Sequence, residues 1–112
     1  MLQTVVETPT FVRRTEKLLS SEEREALILW LAQYPEAGDP IVGTGGVRKL
    51  RFAAKGKGKS GGVRVIYYFH DRDMPIYALV LYGKGERADL TSDERKAVAA
   101  FAAAIKATRK RR

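Results

Sequence analysis

Apolar positions along the chain follow two rhythms. From Val47 to Tyr82 they alternate with polar residues, or run together in short blocks bounded by glycine, proline and aspartate, and this predicts strands. On either side of that stretch they recur every three or four residues, which predicts helices. Leu2 to Glu7 reads as a first strand that Pro9 stops. Thr10 to Leu19 forms a short helix with Phe11, Thr15 and Leu18 inward. Ser20 stands three residues before Glu23. At that spacing a hydroxyl and a carboxylate satisfy each other's free backbone N–H groups at a helix start. The helix they open runs to Tyr34, with Leu27, Trp30, Leu31 and Tyr34 on one face and Ile28 broadening the stripe, and Pro35 ends it.

A loop from Glu36 to Gly46 leads to a second strand, Val47 to Ala53. Alternation puts Arg48, Leu50 and Phe52 on one face and Val47, Lys49 and Arg51 on the other. Ala54 to Gly62 is too polar to pack a core and reads as a loop. Val63 to His70 is the third strand, Asp71 to Pro75 a turn, and Ile76 to Tyr82 the fourth strand. So short a connection makes the last two an antiparallel hairpin. Gly83 to Ala88 is a second polar loop. Thr91 and Glu94 repeat the capping pattern and open a C-terminal helix to Thr108, with Val98, Phe101, Ala102 and Ile105 as its stripe. The order β-α-α-β-β-β-α defines an α+β fold: a small antiparallel sheet covered on one face by helices, two N-terminal and one C-terminal. With 112 residues, one domain is expected over residues 1–108, followed by a basic tail at 109–112.

Charge sharpens this picture. The net charge is +8, and it is polarised. Ile41 to His70 contains no acidic residue, yet carries Arg48, Lys49, Arg51, Lys55, Lys57, Lys59 and Arg64 among seven glycines. Lys106 to Arg112 adds five more cations, and the remainder, which holds all thirteen acids, is net negative. Cations on a glycine-rich loop between apolar strands suit a phosphate backbone, because glycine permits close approach and the cations neutralise phosphate. A nucleic acid is therefore the leading partner.

The residue types restrict the chemistry. There is no cysteine, so disulfides and thiolate metal sites are excluded, and a single histidine excludes His-pair catalysis. No paired carboxylates or metal-ligand spacing emerge, and no cofactor is expected. The run Gly56-Lys57-Gly58-Lys59-Ser60 lacks the spacing of a phosphate-binding P-loop and no helix follows it. No apolar run approaches a membrane span and no leader pattern opens the chain, so a cytoplasmic protein without a membrane partner is expected. His70 lies beside Asp71 at the far end of its strand and reads as a turn residue.

If the polymer is RNA, cleaving it requires a base for the 2′-hydroxyl, a stabiliser for the phosphorane and an acid for the leaving oxygen. Lysine, arginine and tyrosine remain for these roles. Like charges lower a lysine's pKa, so one of Lys55, Lys57 and Lys59 is a candidate base in the field shared with Arg64. Arg64 does not titrate, but it clamps a phosphate through two guanidinium hydrogen bonds. The hairpin returns the end of the fourth strand beside the start of the third, so Tyr82 and Lys84 are expected near Arg64. Tyrosine stacks on a base or donates a proton.

The run Gly46-Val47-Arg48-Lys49-Leu50-Arg51-Phe52, a Gly/Lys loop, and then Gly61-Gly62-Val63-Arg64-Val65-Ile66-Tyr67-Tyr68 resembles the RelE/HigB branch of the RelE/ParE toxins. Ile76 to Leu81, Tyr82-Gly83-Lys84-Gly85-Glu86 and Asp89-Leu90-Thr91 continue the pattern. The resemblance implies a RelE-like toxin fold and the toxin half of a type II toxin–antitoxin pair. It also implies a metal-independent, ribosome-dependent mRNA endonuclease that inhibits translation through attack by the 2′-hydroxyl on the adjacent phosphate. By motif position it implies Lys57, Lys59, Arg64, Tyr82 and Lys84 as catalytic. Arg48, Lys49, Arg51, Lys55 and Arg87 then bind RNA, with Arg87 standing where a second active-site arginine often occurs. The implied partners are mRNA in the ribosomal A site, rRNA, and a cognate antitoxin of the helix-turn-helix, HigA-like kind. Two other readings share these residues: a non-catalytic nucleic-acid-binding module, and a ParE-like gyrase inhibitor.

Overall fold

The two most apolar strands, Val63–Tyr68 and Ile76–Gly83, are buried on both faces along almost their whole length, with Arg64 and Tyr77 as half-buried breaks. That dictates helices on both sides. In a computed structural model, residues 2–54, 62–86 and 89–110 are described. Among them the elements are β1 (Val5–Glu7), α1 (Pro9–Leu18), α2 (Ser21–Gln33), β2 (Asp39–Pro40), β3 (Val47–Phe52), β4 (Val63–Tyr68), β5 (Ile76–Gly83) and α3 (Ser92–Lys110). The strands form one five-stranded sheet in the order β1-β5-β4-β3-β2.

On one face Phe11, Leu18 and Leu19 of the α1 region and Leu27 and Leu31 of α2 pack on Val63, Val65, Tyr67, Ile76, Ala78 and Leu81. On the other face Leu90, Val98 and Ala102 pack on Val47, Ile66, Tyr68, Leu79, Val80 and Tyr82. The expectation of helices on a single face is thus corrected, and the cause is the double-sided hydrophobicity of β4 and β5. The sheet is also mixed rather than antiparallel. The three residues of β1 pair parallel with Ile76–Ala78, a partner some seventy residues away that no local pattern announces. β2, which pairs Asp39 with Lys49 and Pro40 with Arg48, lies in the expected loop.

Both capping patterns form. Ser20 and Glu23 close the reciprocal box at α2, and Thr91 and Glu94 do so at α3. The inward face of α2 differs from its expected stripe. Leu27, Leu31 and Ala32 are buried, whereas Trp30 and Tyr34 are 42% and 50% exposed and meet at a tilt of 50° with ring centroids 4.6 Å apart. The helix is rotated toward Ile28 and Ala32, and Tyr34 already lies in the non-helical cap. α3 continues two residues beyond the expected Thr108.

A β-bulge divides β5. Ile66 pairs with Val80 but Tyr67 pairs with Ala78, so Leu79 is the extra residue. Below it Ile76 and Ala78 face α1 and α2, and above it Leu81 does, while Leu79, Val80 and Tyr82 all face α3. Uninterrupted alternation from Ile76 would send Tyr82 to the other face, so the bulge is what turns it.

Tyr67 locks the β2 side of the sheet. Its hydroxyl accepts the buried Gly38 N–H at 2.8 Å, and a Cβ at Gly38 would stand only 2.8 Å from that oxygen. Burial raises the Tyr67 pKa, against the smaller lowering effects of the Gly38 bond and Arg48. Tyr67→Phe leaves the Gly38 N–H buried without an acceptor and is expected to cost about 1–3 kcal/mol. Urea denaturation of the variant against the native chain measures it, and an unchanged midpoint would refute the lock.

Candidate nucleic-acid interface

β4 pairs with both of its neighbours at the position of Arg64. Arg51 of β3 stands opposite it on one side and Tyr82 of β5 on the other. The three residues form a row across the sheet, with neighbouring strands about 4.8 Å apart. Alternation places Arg51 and Arg64 on the α3 face, and the bulge adds Tyr82 to it. Arg64 is half-buried, Arg51 exposed and Tyr82 buried. A cation in this apolar setting keeps its aliphatic stem against the core and its guanidinium at the rim.

The backbone around the row is shaped by close approach. Gly62, just before β4, has φ +75°, and a Cβ there would lie 2.4 Å from the Phe52 carbonyl oxygen. Only glycine lets the chain enter β4 so near the end of β3. Lys84 occupies the turn after β5, is exposed, and its N–H donates to the Gly62 carbonyl at 3.4 Å. The segment joining Ala54 to Gly62, which carries Lys55, Lys57 and Lys59, departs from and returns to this same sheet end. These lysines and Arg87 lie outside the described residues.

Other cations are distributed differently. Lys49 is on the α3 face one step from the row, 3.9 Å from Asp89, which is also 3.5 Å from Arg95. Arg48 is on the opposite face and is committed to structure: it donates to the carbonyls of Glu36 and Gly38 at 3.1 and 2.7 Å. It stands apart from the row that its neighbours in β3 join.

His70 is at the other end of β4, roughly 20 Å from Arg64 at strand rise. Its Nδ1 is 3.3 Å from the Tyr68 hydroxyl and its Nε2 3.8 Å from Asp71. Arg109 of α3 reaches the same corner, donating to Asp71 and Asp73 at 3.0 Å each. Burial, aided by the Asp71 charge, raises the Tyr68 pKa. For Asp71, desolvation alone would raise the pKa, but the Asp73 amide, Arg109 and His70 outweigh it and lower it from 3.8. A groove of about 590 Å³ runs beside β1 and α2 and is lined by Leu2, Val5, Ile28 and Leu29 together with Glu7, Arg24 and Glu25. Its lining includes none of the row residues, and its two carboxylates outnumber its one cation, which disfavours a phosphodiester.

Two contributors escape sequence reasoning. Arg14 of α1 donates to the Leu81 carbonyl at 3.1 Å and pairs with Glu86, and Glu86 accepts the Gly83 N–H at 2.6 Å. No local motif links residues so far apart.

The fold and this row define a small basic α+β protein that presents cations, backed by a buried tyrosine, at one end of a mixed sheet. A family model described as the RelE toxin of the RelE/RelB toxin–antitoxin system matches residues 36–112, which include β2 to β5 and α3. The chain belongs to the RelE toxin family. Its fold is similar to that of an arginine-to-alanine double mutant of the E. coli toxin RelE in the free state. The TM-score is 0.57 at 21% sequence identity, covering 89% of this chain and 96% of that one. Family membership implies an antitoxin partner. No helix among the described residues is long and apolar enough to cross a membrane.

The Asp71–Arg109 tie carries a pH prediction. Because the folded pKa of Asp71 is depressed, its contribution is present above the unfolded value near 3.8 and is lost as pH falls below it. Thermal melts between about pH 5 and 2 are expected to show a smaller loss of Tm on acidification for Asp71→Asn than for the native chain. Parallel curves would remove Asp71 from the acid response.

Proposed function

We propose that this toxin is a ribosome-dependent mRNA endonuclease that needs no metal and inhibits translation. The observation that carries the reading is the Arg51–Arg64–Tyr82 row at the sheet end that also holds Ala54, Gly62 and the Lys84 turn, Ala54 and Gly62 being the residues that flank the lysine-rich stretch in sequence. Arg64 grips the scissile phosphate and stabilises the charge that grows on its oxygens. Lys57 or Lys59 removes the 2′-hydroxyl proton, and the oxygen attacks the adjacent phosphorus. The P–O5′ bond breaks, leaving a cyclic phosphate and a free 5′-hydroxyl. Lys84, exposed in the turn after β5, protonates the leaving oxygen, while the expected base-stacking role of Tyr82 is corrected, since its ring is buried in the core beside Arg64 and supports the row from within. Arg51, Lys49, Lys55 and Arg87 hold flanking phosphates.

Ribosome dependence is part of this reading, supported by membership of the RelE toxin family. The site then works in the cytoplasm, on mRNA in the A site and against rRNA. The antitoxin is proposed to be a helix-turn-helix, HigA-like protein that covers the cation face.

Primer extension on a defined mRNA, with and without programmed ribosomes, tests this. Cuts at A-site codons only with ribosomes are expected. Arg64→Ala is expected to lower the rate about 10²–10³-fold, since a donor to the transition state is worth ~2.7–4 kcal/mol. A loss of less than about threefold would end the Arg64 assignment. Intact mRNA in every lane would leave a binding module or, if supercoiling by gyrase is inhibited, a gyrase-directed toxin.

A further inference from the structure

β5 is only half covered on its β1 side. β1 ends at Glu7, opposite Ala78, so the upper part of β5, which carries Tyr82, has no strand beside it there among the described residues. Side chains take over from the missing strand. The Thr8 N–H donates to the Ala78 carbonyl at 3.1 Å and the Thr8 hydroxyl to the Leu79 carbonyl at 3.2 Å. Arg14 Nε donates to the Leu81 carbonyl, and Glu86 Oε1 accepts the Gly83 N–H. Arg14 and Glu86 join through the guanidinium and the second carboxylate oxygen. The two backbone groups they hold, Leu81 C=O and Gly83 N–H, lie on either side of Tyr82. Glu86 also closes the Gly83–Glu86 turn that carries Lys84, through its own N–H to the Gly83 carbonyl at 3.1 Å.

We infer that Arg14 and Glu86 form a latch that holds the strand end around the buried Tyr82 and so positions Lys84 for RNA cleavage. Neither touches the substrate in this account, so both are positioning residues. The inference rests on the proposed ribonuclease reading. Its physical basis is simple: a strand edge with no neighbour frays, and a misplacement of about 1 Å at a reacting group costs on the order of 100-fold in rate. The latch is a partly buried, charge-assisted pair, and each partner keeps a second bond to the β5 backbone.

The test is single-turnover mRNA cleavage on programmed ribosomes, resolved into kcat and KM, together with amide exchange at Gly83 and Lys84. Glu86→Ala and Arg14→Ala are each expected to lower kcat roughly 10- to 100-fold with KM within about twofold. The double variant should lose little more than either alone, since the two act as one unit. Glu86→Gln keeps an oxygen for the Gly83 N–H and is expected to recover most of the loss. Arg24→Ala, which breaks the Arg24–Glu7 pair far from the site, controls for the general cost of losing an ion pair and should leave kcat unchanged. Faster exchange at Gly83 and Lys84 in the folded Glu86→Ala chain is the second expected result.

An effect on KM alone, a Glu86→Gln variant no better than Glu86→Ala, or unaltered exchange would each overturn the latch. If the native chain fails to cut RNA, the ribonuclease reading falls. The exchange experiment then still reports whether the latch holds the turn.

Discussion

The β4–β5 hairpin governs everything around it. Its side chains are apolar on both faces, so each face must be removed from water at about 25 cal/mol per Å² of apolar surface. Two N-terminal helices cover one side and a single long helix the other. Arg64 interrupts the hairpin on the α3 face near its open end, with Arg51 beside it in β3 and Lys84 in the turn that follows β5. The site is therefore a local exception in a pattern of burial, supported by the core on which it stands.

The elements were largely legible because their signals are local. Capping boxes, prolines and alternation mark the helices and the three long strands. The nearness of Arg64 and Tyr82 was legible too, since the short turn at Asp71–Pro75 brings the two strand ends together, but their direct pairing depends on the bulge at Leu79, which no local pattern announces. What stayed hidden depends on distant contacts. β1 finds a parallel partner, β2 forms only against β3, and the rotation of α2 that exposes Trp30 is settled by packing on the sheet. The second helical layer had a visible cause, the unbroken apolar run of β4, which indicates burial on both faces.

The site divides in the same way. Residue types and charge polarity pointed to Arg64, Tyr82 and Lys84, but one strand's alternation separates Arg48 from Lys49 and Arg51, so a basic run in sequence becomes two surfaces in space. Arg48 serves the β2 corner. The Arg14–Glu86 pair had no sequence signature, since its meaning arises only where α1 passes the uncovered half of β5.

The bulge at Leu79 gives β5 a property that substitutions do not alter. A strand's facing is a matter of counting, odd against even, and the bulge shifts the count by one between Ala78 and Val80. The side chain of residue 79 answers to its place in the core beneath α3, while its presence alone sets the count. Loss of that one codon, with the reading frame intact, would exchange the two faces of everything downstream in the strand, turning Leu81 toward α3 and Tyr82 toward α1. In this fold the length of a strand, more than its spelling, decides which side chain joins which core.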